Sequence, residues 1–440
     1  MFPRLVTIAP RALGVVVALM LSALSACSSS DTPAGPTGPV ITPPQPPTPS
    51  LIDIAYCRGG EPAWVAYQDG DGPWTRVLPT ASGQFTTFRL SFTATRGAVA
   101  RAAQLAGGLT TLSVLYGLPS ELRIVSDTAF QQCTGEALRT ISGTVAGLGA
   151  DEVALLSSGN SVRDIVFPGV GNGFELRGLL SGPQEILATR GRQTADRASI
   201  TAMILRRSDA LPDGGTLPAF DFGSVEAFQP VLRNVTFAGS GNAAVIAYTG
   251  LRTAHSNNVV TFFPAGGVNA TSSFYAIPES RLEQGEVQSV AATSAPVGNV
   301  VRSAAAYFRS PADLTLTFGA MPIAPVFSTI STAPVVRLRA SFVVQDDYDR
   351  LASVSFQQGA NTVVSLSMTE PYAGVGKNYD LAIPDLSAVP GFDTRWALHT
   401  GSQVLWTSSR IGGTLAWYYY AIPYDGDVSR VATDAGSFTP

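Results

Sequence analysis

From about residue 51 onward the apolar positions come in short runs, many alternating with polar ones. Between the runs lie clusters of Gly, Pro, Asn, Asp and Ser. Alternation of period two predicts half-buried strands, and turn clusters at intervals of roughly 8–12 residues predict antiparallel sandwiches. Trp64–Gln68 and Trp74–Leu78 flank Asp69-Gly70-Asp71-Gly72-Pro73, which predicts a hairpin with a five-residue loop. Phe85–Thr95, Leu109–Leu118, Ala243–Tyr248 and Val259–Phe263 are further strand segments. Pro311–Phe318 places Leu314, Leu316 and Phe318 on one face. Two Ala-rich stretches, Arg96–Leu105 and Val301–Phe308, are the best short helical segments. Neither sustains a 3.6-residue period, so the class expected is all-β, with three or four tandem sandwiches of immunoglobulin or transthyretin type.

The first 50 residues follow different rules. Arg4 and Arg11 precede an apolar run, Leu13–Leu24, and then Leu24-Ser25-Ala26-Cys27. A basic start, a short apolar core and small residues before a cut site make a secretory signal, and the core is too short to span a bilayer. The last four residues resemble the lipobox of bacterial lipoproteins. That resemblance implies cleavage before Cys27, acyl chains on Cys27 as the partner of a lipid bilayer, and, with Ser28 following, an outer-membrane address. Each buried methylene adds ~0.8 kcal/mol to such an anchor. Residues 28–50 hold eight prolines and almost nothing to bury. They predict a disordered, partly polyproline spacer that would reach about 70 Å fully stretched.

The organisation expected is therefore a signal peptide (1–26), a lipidated cysteine with linker (27–50) and four modules (51–139, 140–230, 231–334 and 335–440). Within the second, Ile141–Val145, Val153–Leu156, Gly173-Phe174-Glu175-Leu176 and Gly178–Ala188 follow one another in an order that resembles the carboxypeptidase regulatory-like, or transthyretin-like, sandwich. The chain departs from that pattern at Gly182-Pro183-Gln184, where the family has a tyrosine entering its last strand. The resemblance implies a structural appendage without a peptidase site. The last two modules share a short echo, Tyr275-Ala276-Ile277-Pro278 and Tyr420-Ala421-Ile422-Pro423.

Composition narrows the chemistry. The net charge is −4 and only 14% of residues are charged, which argues against a nucleic-acid partner. Lys377 is the only lysine. With Cys27 lipidated, Cys57 and Cys133 remain. In an oxidising compartment they read as a disulfide worth roughly 4 kcal/mol, with two buried thiols as the alternative. The two histidines, His255 and His399, fall in different modules and form no metal-ligand set. Gly374-Val375-Gly376-Lys377 lacks the rest of a phosphate loop and reads as a turn, and no Gly-x-Ser-x-Gly occurs. No cofactor, metal or catalytic residue is indicated. Asp346, Asp347 and Asp349 form the densest acidic cluster, a solvated loop first and a weak cation site second. Asp425 and Asp427 flank a turn glycine.

One constellation points to binding. Trp396, Trp406, Trp417 and Tyr419 crowd the last 45 residues, where flat rings on strands could form a platform for a glycan or an envelope protein. The other reading is a sandwich core with an aromatic rim. The function expected is non-catalytic binding, adhesion or envelope scaffolding in the cell envelope. The alternatives are a carboxylate-dependent hydrolase of envelope polymers and an accessory subunit docking other envelope proteins.

Overall fold

A computed structural model describes residues 49–123, 138–159, 162–179, 182–193, 198–208, 214–253, 257–265, 271–415 and 423–440. The signal, Cys27, the linker through residue 48, Cys133, His255, Trp417 and Tyr419 lie outside the described residues. Thr48–Pro440 forms one compact unit, and its regular structure is almost entirely strand, as the alternation predicts.

The strands fall into four successive groups. The first holds β1 (Ser50–Cys57), β2 (Trp64–Asp69), β3 (Trp74–Val77), β4 (Thr80–Ser82), β5 (Phe85–Phe92), β6 (Gly97–Gln104) and β7 (Thr110–Gly117). The second holds β8 (Arg139–Ala146), β9 (Val153–Ser158), β10 (Val162–Val166), β11 (Gly173–Leu179), β12 (Gln184–Gln193), β13 (Ala198–Ser208) and β14 (Phe220–Asp221). The third holds β15 (Val231–Ala238), β16 (Val245–Arg252), β17 (Asn257–Ala265), β18 (Thr271–Ala276), β19 (Val287–Ser294), β20 (Val300–Phe308) and β21 (Leu314–Thr317). The fourth holds β22 (Val326–Ser331), β23 (Arg337–Phe342), β24 (Leu351–Gln358), β25 (Thr362–Thr369), β26 (Tyr379–Ala382), β27 (Val404–Gly413) and β28 (Val428–Phe438).

The four-strand sets share one order in all four groups, while the third strand of the small sheet varies. Each has a small sheet, β1-β5-β4, β11-β8-β14, β18-β15-β21 and β22-β23-β26, and a four-strand set, β3-β2-β6-β7, β10-β9-β12-β13, β17-β16-β19-β20 and β25-β24-β27-β28. In the first three groups the opening strand pairs antiparallel with a strand from the middle of its group, β1 with β5, β8 with β11 and β15 with β18; in the fourth, β23 takes that place and pairs with β26. Inward residues of both sheets fill the core between them, for example Ile141, Leu156, Phe174, Ile186 and Phe220 in the second group. The expected boundary at 334 falls behind β22, which pairs with β23 and so belongs to the fourth sandwich.

The four-strand sets of the first, third and fourth groups then join. They form one sheet of twelve strands in the order β17-β16-β19-β20-β28-β27-β24-β25-β7-β6-β2-β3. At one joint β20 and β28 run antiparallel, from Val300 opposite Asp434 to Ala306 opposite Val428. At the other β25 and β7 run parallel, from Thr362 opposite Thr110 to Met368 opposite Tyr116. The second sandwich keeps its own sheets. It packs on the third through Leu187, Ile200 and Met203 against Leu251 and Ile277, beside an Arg207–Glu286 ion pair at 2.6 Å.

Both helical expectations are corrected: Arg96–Leu105 holds β6, and Val301–Phe308 lies in β20. Strand β6 is covered on both sides. Ala98, Ala100 and Ala102 face the core shared with the fourth sandwich, and Val99 faces the first sandwich's own small sheet. A strand between two packed layers loses its apolar–polar alternation, and small side chains let both layers approach. Gly97 shows the limit, since a Cβ there would stand 2.3 Å from the Phe92 ring. Tertiary packing overrides the helical propensity of alanine.

A polar seam separates the cores of the third and fourth sandwiches. Arg302 on β20 and Arg410 on β27 both lie opposite Ala432 on β28, and both are buried. Arg302 donates to the carbonyls of Gly239 (2.9 Å), Gly319 (2.7 Å) and Ser240 (3.1 Å). Arg410 lies over the Phe342 ring and 3.9 Å from Asp434, and none of its three guanidinium nitrogens makes a hydrogen bond. Asp434 accepts a hydrogen bond from the Ser408 hydroxyl. Desolvation lowers the Arg410 pKa, opposed by the charge of Asp434.

Candidate functional site

Among the described residues, an aromatic groove at the end of the fourth sandwich offers a place for a ligand. Trp406 on β27 stands opposite Phe356 on β24 and opposite Gly436 on β28. A Cβ on Gly436 would lie 2.7 Å from the indole. The bare glycine therefore lets the ring lie across the neighbouring strand. From the small sheet, Phe327 on β22 meets the indole at 4.7 Å between centroids and stacks on Phe438 at 5.4 Å and 25°. Phe356 closes the bottom edge-on, 5.9 Å from Phe327 and 6.5 Å from Phe438. These spacings fall in the favourable range for offset and edge-to-face pairs.

Phe327, Ser328, Thr329, Trp406, Ser437 and Phe438 line an open groove of about 410 Å³. Its walls carry aromatic faces and three hydroxyls and no charged side chain. Gln403 donates from Nε2 to the Ser437 Oγ at 3.1 Å and fixes one side of the mouth. Val326 and Leu405, next along β22 and β27, are exposed at the rim.

The platform residues separate. Trp396 sits in a short turn, Thr394–Trp396, and packs against Trp64 and Phe392 at 6.0 and 5.8 Å. The Trp64 indole donates to the Pro390 carbonyl at 3.1 Å. This trio packs on the core joint between the first and fourth sandwiches, the same core that Trp406 meets, and among the described residues its ring pairs do not include Trp406. Trp417 and Tyr419 lie outside the described residues. Phe327, Phe356 and Phe438 were not picked out from the sequence; their signal was alternation, which puts each on the inward side of its strand.

Asp346 is exposed, and the other acidic positions have structural partners. Asp347 accepts the Ala320 N–H at 2.8 Å and lies 3.9 Å from Arg430, and Asp349 lies 3.8 Å from Arg350. Tyr348 between them is buried, donates to the Ala320 carbonyl at 2.9 Å, and is pushed up to about 12 by desolvation. Asp425 accepts the Arg309 N–H at 2.9 Å, and Asp427 accepts from Thr414 and Tyr424. Asp69 likewise accepts from Thr93 and Ala94, which holds the first hairpin. His399 is exposed, and its backbone is clamped by Gln358, which accepts its N–H at 2.8 Å and donates to its carbonyl at 2.7 Å. Lys377 closes a turn on Gly374, whose φ is +96°. Cys57 ends β1, and its expected partner Cys133 lies outside the described residues. Among the described residues no three His, Cys, Asp or Glu side chains converge as a metal site.

No protein family and no curated protein matches the chain.

Proposed function

We propose that this chain is an exported lipoprotein, held to the cell envelope by acyl chains on Cys27, that binds a neutral glycan in the Trp406 groove without chemical turnover. The observation that carries the binding half is the groove's lining: an indole and two phenyl rings beside three hydroxyls, with no charge. A sugar offers an apolar C–H face that stacks on such rings and hydroxyls that exchange hydrogen bonds with serine and threonine. An uncharged wall favours an uncharged ligand, because an anionic polymer would lose hydration there and gain no countercharge. The anchoring half rests on the order of basic start, apolar core and Leu24-Ser25-Ala26-Cys27, and on the proline-rich residues 28–50 that separate Cys27 from the folded unit. The disulfide between Cys57 and Cys133 and the transthyretin-like kinship of the second sandwich belong to the same reading.

The test is a neutral-glycan binding screen on the full chain, with Trp406→Ala and the Asp346→Asn/Asp347→Asn double variant alongside. Trp406→Ala is expected to weaken binding at least ~10-fold, since a ring contact of this kind contributes ~1 kcal/mol beyond its buried area. The aspartate variant is expected to bind as the parent does. Turnover of a glycan that is lost with the aspartates would replace the binding reading with the hydrolase one. Labelled palmitate on the parent, absent from Cys27→Ser, tests the anchor.

A further inference from the structure

The twelve-stranded sheet has a second large surface that meets the groove only at its end, at Ser437 and Leu405. It is the face opposite the small sheets of the third and fourth sandwiches. Across seven adjacent strands, β19, β20, β28, β27, β24, β25 and β7, every residue directed to that face is uncharged. Two rows of hydroxyls cross it. Thr433, Ser409, Ser353 and Ser367 are successive partners across β28, β27, β24 and β25; Thr407, Ser355, Ser365 and Ser113 are successive partners from β27 to β7. Ser355 and Ser365 share a hydrogen bond at 3.0 Å. Most of these side chains are half-buried to exposed, with Thr407 and Leu405 among the exposed; Val287, Leu351 and Thr369 are buried, Thr369 donating to Glu121, and Leu115 on β7 packs on the first sandwich's core.

The placement of charge on these strands is inverted. Strands β20, β27 and β28 contain four charged residues, Arg302, Arg410, Arg430 and Asp434, and all four point to the covered side. An antiparallel sheet with one solvated face ordinarily directs its charges to water. Here the solvent side carries none.

We propose that the chain pairs with a second copy of itself through this face, sheet on sheet. Three properties select a second copy as the occupant. A neutral face brought against its own rotated image meets no like charge. A hydroxyl both donates and accepts, so rows of Ser and Thr are complementary to themselves under a two-fold rotation. The area also suffices. Leaving out β7, which the first sandwich's small sheet already meets at Leu115, six strands each ~4.8 Å wide and ~8 residues long at ~3.3 Å per residue cover roughly 750 Å². A stable interface of standard size buries about 800 Å² per partner.

The experiment is sedimentation of the full chain in detergent solution, comparing the parent with a Thr407→Arg/Ser355→Arg variant, with circular dichroism to confirm that the variant folds. The parent is expected to sediment as a dimer at micromolar concentration. The variant is expected to dissociate at least ~100-fold more readily, because two like charges would then face their own images. Independently, Thr407→Cys and Ser365→Cys are expected to give covalent dimers on mild oxidation, which keeps the idea testable if the arginine variant fails to fold. A parent that stays monomeric, a dimer indifferent to both arginines, or cysteines on this face that never cross-link would each overturn the proposal. So would a monomer that binds an insoluble neutral polysaccharide through Thr407, since the face would then belong to a ligand.

Discussion

The two buried arginines of the seam should behave differently when removed, although they occupy equivalent places beside Ala432. Arg302 satisfies the carbonyls of Gly239, Ser240 and Gly319. Replacement by methionine keeps much of the volume and leaves three carbonyls without donors. Each buried unsatisfied group costs about 1–3 kcal/mol, and partial relaxation limits the sum, so Arg302→Met should cost roughly 3–5 kcal/mol. Arg410 makes no hydrogen bond through its guanidinium, and its nearest counter-charge, Asp434, is 3.9 Å away. A desolvated pair with such geometry recovers little of its desolvation energy. Replacing both partners with neutral residues is expected to be neutral, or to stabilise by about 1–4 kcal/mol. The informative comparison is therefore Arg302→Met against the double variant Arg410→Met/Asp434→Asn, in urea unfolding at pH 7 followed by tryptophan fluorescence. Hydrogen exchange across β20 and β28 locates the change at the seam. If the double variant loses as much as Arg302→Met, hydrogen-bond satisfaction is not what distinguishes the two arginines, and the account of the seam is wrong.

Other expectations follow from single sites. Gly436→Ala should displace the Trp406 indole, red-shift its emission and weaken glycan binding, with a stability loss of about 1–3 kcal/mol from overpacking; an unchanged spectrum would mean that the ring does not depend on the glycine. On the acid side, hydrogen bonds from Arg206 hold the Glu226 carboxyl below its ordinary value of 4.5. That contribution is present above pH 4.5 and is lost as pH falls below it. On the alkaline side, burial pushes Tyr348 from its ordinary 10.0 up to about 12. Its contribution is complete below pH 10 and is lost as pH rises towards 12. Urea midpoints across pH should therefore fall at both ends, with Glu226→Gln flattening the acid limb and Tyr348→Phe the alkaline one. Cys57→Ser should lower stability by roughly 4 kcal/mol by opening a loop of about 76 residues. Peptide mapping without reductant should find Cys57 joined to Cys133, and two free thiols in the unfolded parent would refute that pairing.

The strands were legible where one layer covers them. The hairpin at Asp69–Pro73 and the apolar face of Leu314, Leu316 and Phe318 appear where alternation put them. Alternation failed at β6, because two layers cover it and alanine there marks close packing rather than helix. Of the short echo, Tyr275 and Ala276 end β18, and Tyr420, Ala421 and Ile422 lie outside the described residues. The recurrence is carried by strand pairing, with no shared residues needed. The groove was half legible. Trp406 stood out by type, but Phe327 and Phe438 reach it from strands that only the folded chain brings together. The Thr110 hydroxyl donating to the Asn361 carbonyl joins modules 251 residues apart, a distance over which local pattern has no reach.

The joints also account for where the charges went. Two sandwiches that share one sheet each cover it with their own small sheet, and a gap is left between the two covers. Loop backbone from the third sandwich, at Gly239, Ser240 and Gly319, and the turn Asp346–Tyr348 of the fourth fill that gap. Backbone carbonyls brought there need donors that water cannot supply. A long cationic side chain on β20 supplies three at once, and Arg430 supports the same loops from β28 by donating to the Thr317 carbonyl at 3.2 Å. Ala432, between Arg302 and Arg410, leaves room for both. The charged residues of these strands thus face inward because the seam is the part of the sheet with unpaired backbone to satisfy. The outer face, where the strands already pair with one another and, among the described residues, only Glu121 reaches across to Thr369, needs few such donors and carries uncharged side chains, many of them serine, threonine and small apolar residues.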